Sequence, residues 1–181
     1  MANEDLAFAL ERSFLATEFL TWLWFRCEVE GGVFDFPSGG VSIAIEDGLS
    51  LTSWEDDGFK ASLRGGSPTV RPEAANALAS GLLLRRAKLI AARDTCEWLF
   101  TLDGETLDLL SVKVVDGNAD EDPEDPLAEK LHAAEQLRDI VDALYTEFLA
   151  LRLSASWETT ELARLRGWVR DKLAKSSLIA V

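Results

Sequence analysis

The sequence predicts an α+β fold: a mostly antiparallel sheet of about six or seven strands, packed with a Trp-rich N-terminal helix and two C-terminal helices. Three observations predict it. The N-terminal thirty residues are apolar at helical spacing, with tryptophans on two faces. The middle of the chain alternates apolar and polar residues between turn signals. The last third returns to apolar residues three and four apart.

Asn3 suits an N-cap, and Glu4 and Asp5 suit a first helical turn. The first helix is expected over about 4–28, stopped by Gly31-Gly32. Successive residues of a helix turn about 100°, so Trp22 and Trp24 point about 200° apart. Phe8, Leu15 and Trp22 share one face; Leu20, Trp24 and Cys27 share another. A helix apolar all round must be covered all round. It lies between two layers, or between one layer and another molecule, so Phe19, Trp22 and Trp24 are expected at a dimer or partner interface.

A meander of short strands follows across 33–65. Val41, Ile43 and Ile45 alternate, Glu46-Asp47-Gly48 signals a turn, and Leu49 and Leu51 resume the alternation. Asp56-Asp57-Gly58 signals the next turn, before Phe59, Ala61 and Leu63. After the loop at 64–68, Pro72 opens a short helix that Gly81 ends. Extended structure is expected over 84–92, 98–102 and 107–115. Asp116 to Pro126 is an acidic, proline-containing linker. A long helix runs from Leu127 to Leu151, and Ser156 precedes a last one over 157–175. The domain division is therefore 1–115, a linker at 116–126, and a helical segment at 127–181 that packs on the same domain.

The net charge of −14 is uneven. Residues 1–59 carry −10, 60–115 carry +2, 116–126 carry −6, and 127–181 balance. Such a field does not attract a phosphate backbone as a whole, so any nucleic-acid contact is local. No apolar run reaches the roughly 20 residues of a membrane span, and the acidic start lacks the basic region of a secretory signal. A cytoplasmic location without membrane contact is the expectation. Cys27 and Cys96 match neither a disulfide framework nor a metal motif.

His132 is the only histidine, which excludes a multi-histidine metal site within one chain, and no Gly-x-Ser-x-Gly element is present. The linker acids lack the glycine and terminal glutamate of a calcium loop. Asp94, Glu97, Asp103 and Asp108 sit on or between strands and read as turn and surface residues. No cofactor, metal or catalytic residue is expected. The remaining chemistry is basic. Arg85, Arg86, Lys88 and Arg93, with Arg64 and Arg71, could line a phosphate-contacting stripe; the competing reading is an exposed sheet face balanced by acids. Arg164, Arg166, Arg170, Lys172 and Lys175 form a second basic region on the last helix.

Several segments together carry a resemblance. They are Glu18-Phe-Leu-Thr-Trp-Leu-Trp-Phe-Arg26, the loop Leu63 to Pro68 followed by Pro72 to Leu78, the strand Glu97 to Asp103, and Leu144 to Arg152 with Trp157. In order and spacing they resemble the C-terminal half of the bacterial recombination-associated protein RdgC family, over most of the chain outside the linker. The resemblance implies an α+β fold, non-sequence-specific binding of double-stranded DNA in the nucleoid, and a ring-shaped dimer. It also implies an N-terminal half, so a homodimer or a separate partner chain supplying that half is expected. Leu82 stands where the resemblance implies a basic residue. The expected function is a non-enzymatic accessory factor in DNA recombination or replication, with Arg64, Arg85, Arg86, Lys88 and Arg93 as nucleic-acid contacts. The alternative is a protein–protein interaction module without nucleic acid, its acidic face engaging a basic partner.

Overall fold

Alternating residues in the middle of the chain pair into an antiparallel sheet in the computed structural model, which describes residues 15–53, 60–116 and 126–179. Among the described residues it has six strands: β1 (Val33–Phe36), β2 (Gly39–Thr52), β3 (Lys60–Arg64), β4 (Leu83–Arg93), β5 (Cys96–Asp103) and β6 (Leu109–Asp116). The order is β1-β2-β4-β5-β6, with β3 also on β2. Ser42 pairs with both Val33 and Ala92, and Leu49 with both Leu63 and Ala87. One edge of β2 therefore carries β1 and β3 end to end, and the other carries β4.

The turn expected at Glu46-Asp47-Gly48 is not one. Strand β2 runs through it: Ile45 pairs with Leu89 and Leu49 with Ala87. Four steps along β2 oppose two along β4, so the extra residues are absorbed as a bulge that bends the strand. The turn expected at 56–58, like Trp54, lies outside the described residues, as do the residues expected to begin the first helix.

Val41, Ile43, Leu49 and Leu51 on β2, Ala87, Leu89 and Ala91 on β4, and Trp98, Phe100 and Leu102 on β5 are buried on one face. The described helices lie on this face, as an antiparallel sheet allows. Helix α1 (Leu15–Val29) lies against β2 and β4. Helix α2 (Pro72–Ala79) starts at its proline and ends before Gly81, whose φ of 83° demands glycine. Helices α3 (Pro126–Arg152) and α4 (Leu162–Ile179) close over α1, and α2 packs on α4.

This arrangement corrects the interface expectation. Phe19, Trp22 and Trp24 are each 0% exposed within the single chain. Trp22 lies 5.5 Å from the Phe148 ring and 6.1 Å from Phe34; Trp24 meets Trp168 edge-on at 5.2 Å. Of the two ways to cover an all-round apolar helix, the chain uses its own second layer. The last helix is expected from 157, and helical backbone is in place there, but as a π turn, Trp157–Glu161, that runs straight into α4; Trp157 lies against Phe148 at 5.8 Å. One core joins the sheet to α3 and α4. Within it Glu18, 0% exposed, accepts a 2.7 Å bond from Arg152 Nε, whose guanidinium also lies over the Trp157 ring. Among the described residues no helix is long and apolar enough to cross a membrane.

Candidate functional site

The sheet face that no described helix covers carries the first candidate. Pairing of Gly48 with Arg64, and of Ser50 with both Ser62 and Arg86, sets β3 and β4 side chains around the bend of β2. Arg64, Arg86 and Lys88 line one groove of about 420 Å³ there, with hydroxyls from Ser50, Ser62 and Thr101. Three of the five bases that the sequence proposes thus come together.

Two of the three are already engaged. Arg86 Nε donates to Asp103 Oδ2 at 2.5 Å, and Lys88 Nζ to Asp47 Oδ1 at 2.8 Å. Burial pushes the Asp103 carboxyl up, but the Glu105 N–H, 2.9 Å from Oδ1, and Arg86 outweigh it and hold the carboxyl below its ordinary value. The bond from Lys88 lowers Asp47, and Asp47 raises Lys88 in turn. Arg64 is exposed, with no ion pair among the described residues.

The other two bases lie elsewhere. Ser50 pairs with Arg86 but Leu51 with Leu84, so Arg85 is the extra residue of a second irregularity, and its guanidinium pairs with Glu105. Arg93 is seven residues beyond Arg86 along β4, about 23 Å at strand rise, and its Nη2 lies 3.4 Å from Ser38 Oγ. The five do not form a continuous stripe. Nor do the described tryptophans offer a base-stacking platform: Trp22, Trp24, Trp98, Trp157 and Trp168 are all buried.

The second candidate is on the helical side, and the sequence reading missed it. The Glu28 carboxylate at the end of α1 accepts bonds from Trp24 Nε1 (2.6 Å), Trp168 Nε1 (2.9 Å) and Lys172 Nζ (2.8 Å). Lys172 also donates to the Thr69 carbonyl at 2.5 Å and sits 4.9 Å from the Trp24 ring. Burial lowers its pKa from the ordinary lysine value against the pull of Glu28. Arg164 pairs with Glu30 and Glu161. Two of the five bases of the second basic region, Arg164 and Lys172, therefore fasten α4 to the end of α1. The available signal was the four-residue spacing of Trp24 to Glu28 and of Trp168 to Lys172, which stacks each pair on one helix face.

The remaining chemistry-bearing residues are isolated. His132 is exposed and bonds Gln136. Burial pushes the Cys27 thiol up to about 12, with Sγ donating to the Ile43 carbonyl. Leu82 is buried, 3% exposed, so a basic side chain there would enter the core. Among the described residues no three His, Cys, Asp or Glu side chains are placed to hold a metal ion. No family model, curated protein or solved structure matches the chain.

Proposed function

We propose that the protein is a non-enzymatic accessory factor in DNA recombination or replication, acting in an assembly through weak, non-sequence-specific contact with double-stranded DNA. The observation that carries this reading is the convergence of Arg64, Arg86 and Lys88 on one open groove of that sheet face. Cations on a sheet groove, with no stacking ring among the lining residues, suit phosphate contact, which is blind to sequence. The process is taken from the resemblance to the RdgC family. Fluorescence anisotropy with a labelled duplex at about 20 and about 200 mM salt, with the solution mass measured on the same sample, tests it. Binding that weakens steeply with salt, and weakens further in Arg64→Glu and Lys88→Glu, is expected. No binding at the lower salt discards direct DNA contact.

A second reading is favoured by a separate observation. Arg86 and Lys88 already have carboxylate partners, and partly exposed Ile90 and Leu99 lie beside each other on the same face. A protein partner, either a second copy or a separate chain, would then cover the sheet. A stable complex without DNA affinity at low salt would select this reading.

A further inference from the structure

Helices α1 and α4 and the turn before α2 enclose a groove of about 510 Å³, within the size range of peptide-side-chain and small-ligand sites. It lies on the helical side of the sheet, so it is independent of the DNA reading. Phe25 and Trp168 form its floor. Its walls are bare: Val29 is 49% and Val70 68% exposed. At Gly167, on α4, a Cβ would meet no atom within 4 Å, so the helix side of the groove is open to an incoming group.

The rim is basic on an acidic protein. Four bases and two acids line the groove, against a chain charge of −14. Arg164 and Lys172 are bonded to glutamates. Among the described residues Arg71 donates to the Gly65 carbonyl and has no ion pair, and Lys175 has none either. Among the described residues two cations thus stand without a bonded carboxylate, beside the exposed Val29 and Val70. Phosphate backbones suit the cations but leave the two valines wet.

We propose that this groove binds an acidic peptide segment carrying a bulky apolar side chain, presented by a partner protein. Val29 and Val70 take the apolar side chain, while Arg71 and Lys175 take flanking carboxylates. Hydrophobic contact gives the affinity, and complementary charge orients the peptide and speeds its capture.

The test uses the full chain and a fluorescein-labelled peptide, Asp-Glu-Asp-Leu-Phe-Asp-Glu, with a control in which Ser replaces Leu and Phe. The Leu-Phe peptide is expected to bind at least about tenfold tighter than the control. Gly167→Leu adds a side chain at the groove, where the first added carbon meets open space, and removes a helix glycine; Lys175→Glu reverses an exposed charge. Each is expected to weaken the Leu-Phe peptide about tenfold with an unimpaired thermal melt. Equal binding of both peptides, or wild-type binding by both variants, overturns the proposal. So does a labelled duplex that Gly167→Leu releases, or a dimer that it converts to monomer, since these assign the groove to DNA or to a second copy.

Discussion

The salt dependence of DNA binding counts the cations that reach phosphate. On duplex DNA the slope of log affinity against log salt is about −0.9 per phosphate neutralised. If Arg64, Arg86 and Lys88 all engage, the slope is about −2.7, and affinity falls about 40-fold between about 50 and 200 mM salt. If both aspartates keep their partners, Arg64 acts alone, with a slope of about −0.9 and a fall of about threefold. The geometry selects an intermediate. The Lys88–Asp47 pair is exposed on both sides, and such pairs exchange at little cost. Asp103, 3% exposed and also bonded by the Glu105 N–H, holds Arg86. Two phosphates are expected, giving a slope of about −1.8 and a fall of about 12-fold. Anisotropy titrations should then show Lys88→Ala reducing the slope to about −0.9 and Arg86→Ala leaving it unchanged. Asp47→Asn should strengthen binding at low salt. A slope indifferent to Lys88→Ala, or reduced equally by Arg86→Ala, refutes this division of labour.

Other outcomes follow from the core and its charges. Arg152→Ala removes the cation bonded to the buried Glu18 carboxylate and should cost about 3–5 kcal/mol by urea denaturation, while Glu18→Gln with Arg152→Met recovers most of it; equal losses in the single and double variants contradict a buried charge that depends on its cation. Gly104→Ala puts a Cβ 2.6 Å from Leu20 Cδ1 and 3.1 Å from the Arg85 carbonyl, and should cost about 1–3 kcal/mol in thermal melts. Because the folded Asp103 carboxyl lies below its ordinary value, the unfolded state binds more protons as pH drops below about 4. Asp103 therefore stabilises the fold above that range and loses its contribution below it; Asp103→Asn should flatten the acid limb of a stability–pH curve. With its thiol at about 12, Cys27 is about one part in 10⁴ thiolate at pH 8. It should resist a thiol reagent until denaturant is added, and prompt labelling of Cys27 by peptide mapping would count against its burial.

The fold class was legible because the two periodicities, 2 and 3.6, are kept cleanly by residues such as Trp98, Phe100 and Leu102, and Leu137, Leu144 and Phe148. What escaped was long-range. Glu46-Asp47-Gly48 has turn composition, yet β4 pairs with β2 on both sides of it, so tertiary pairing overrode local preference. The all-round apolar α1 called for two covers, but no local signal says whether the second belongs to the same chain. The basic stripe was half legible: strand alternation put Arg86 and Lys88 on one face, while the slip at Arg85 depends on pairing with β2. The Lys172 site joins residues 144 positions apart, and only the helix spacings hinted at it.

The same wide separations bear on how the molecule is made. Glu18 waits for Arg152 across 134 residues, and Trp24 for Trp168 across 144. At a synthesis rate of about 5–20 residues per second, the first of these gaps lasts about 7–27 s. Throughout it, the nascent chain carries a tryptophan-rich helix whose roof has not yet been translated. A ribosome stalled within α3 would display Trp24 and Phe25 with no chain left to bury them. The step most exposed to chaperone capture or aggregation is therefore the long interval before α4 arrives, more than any opening of the finished protein.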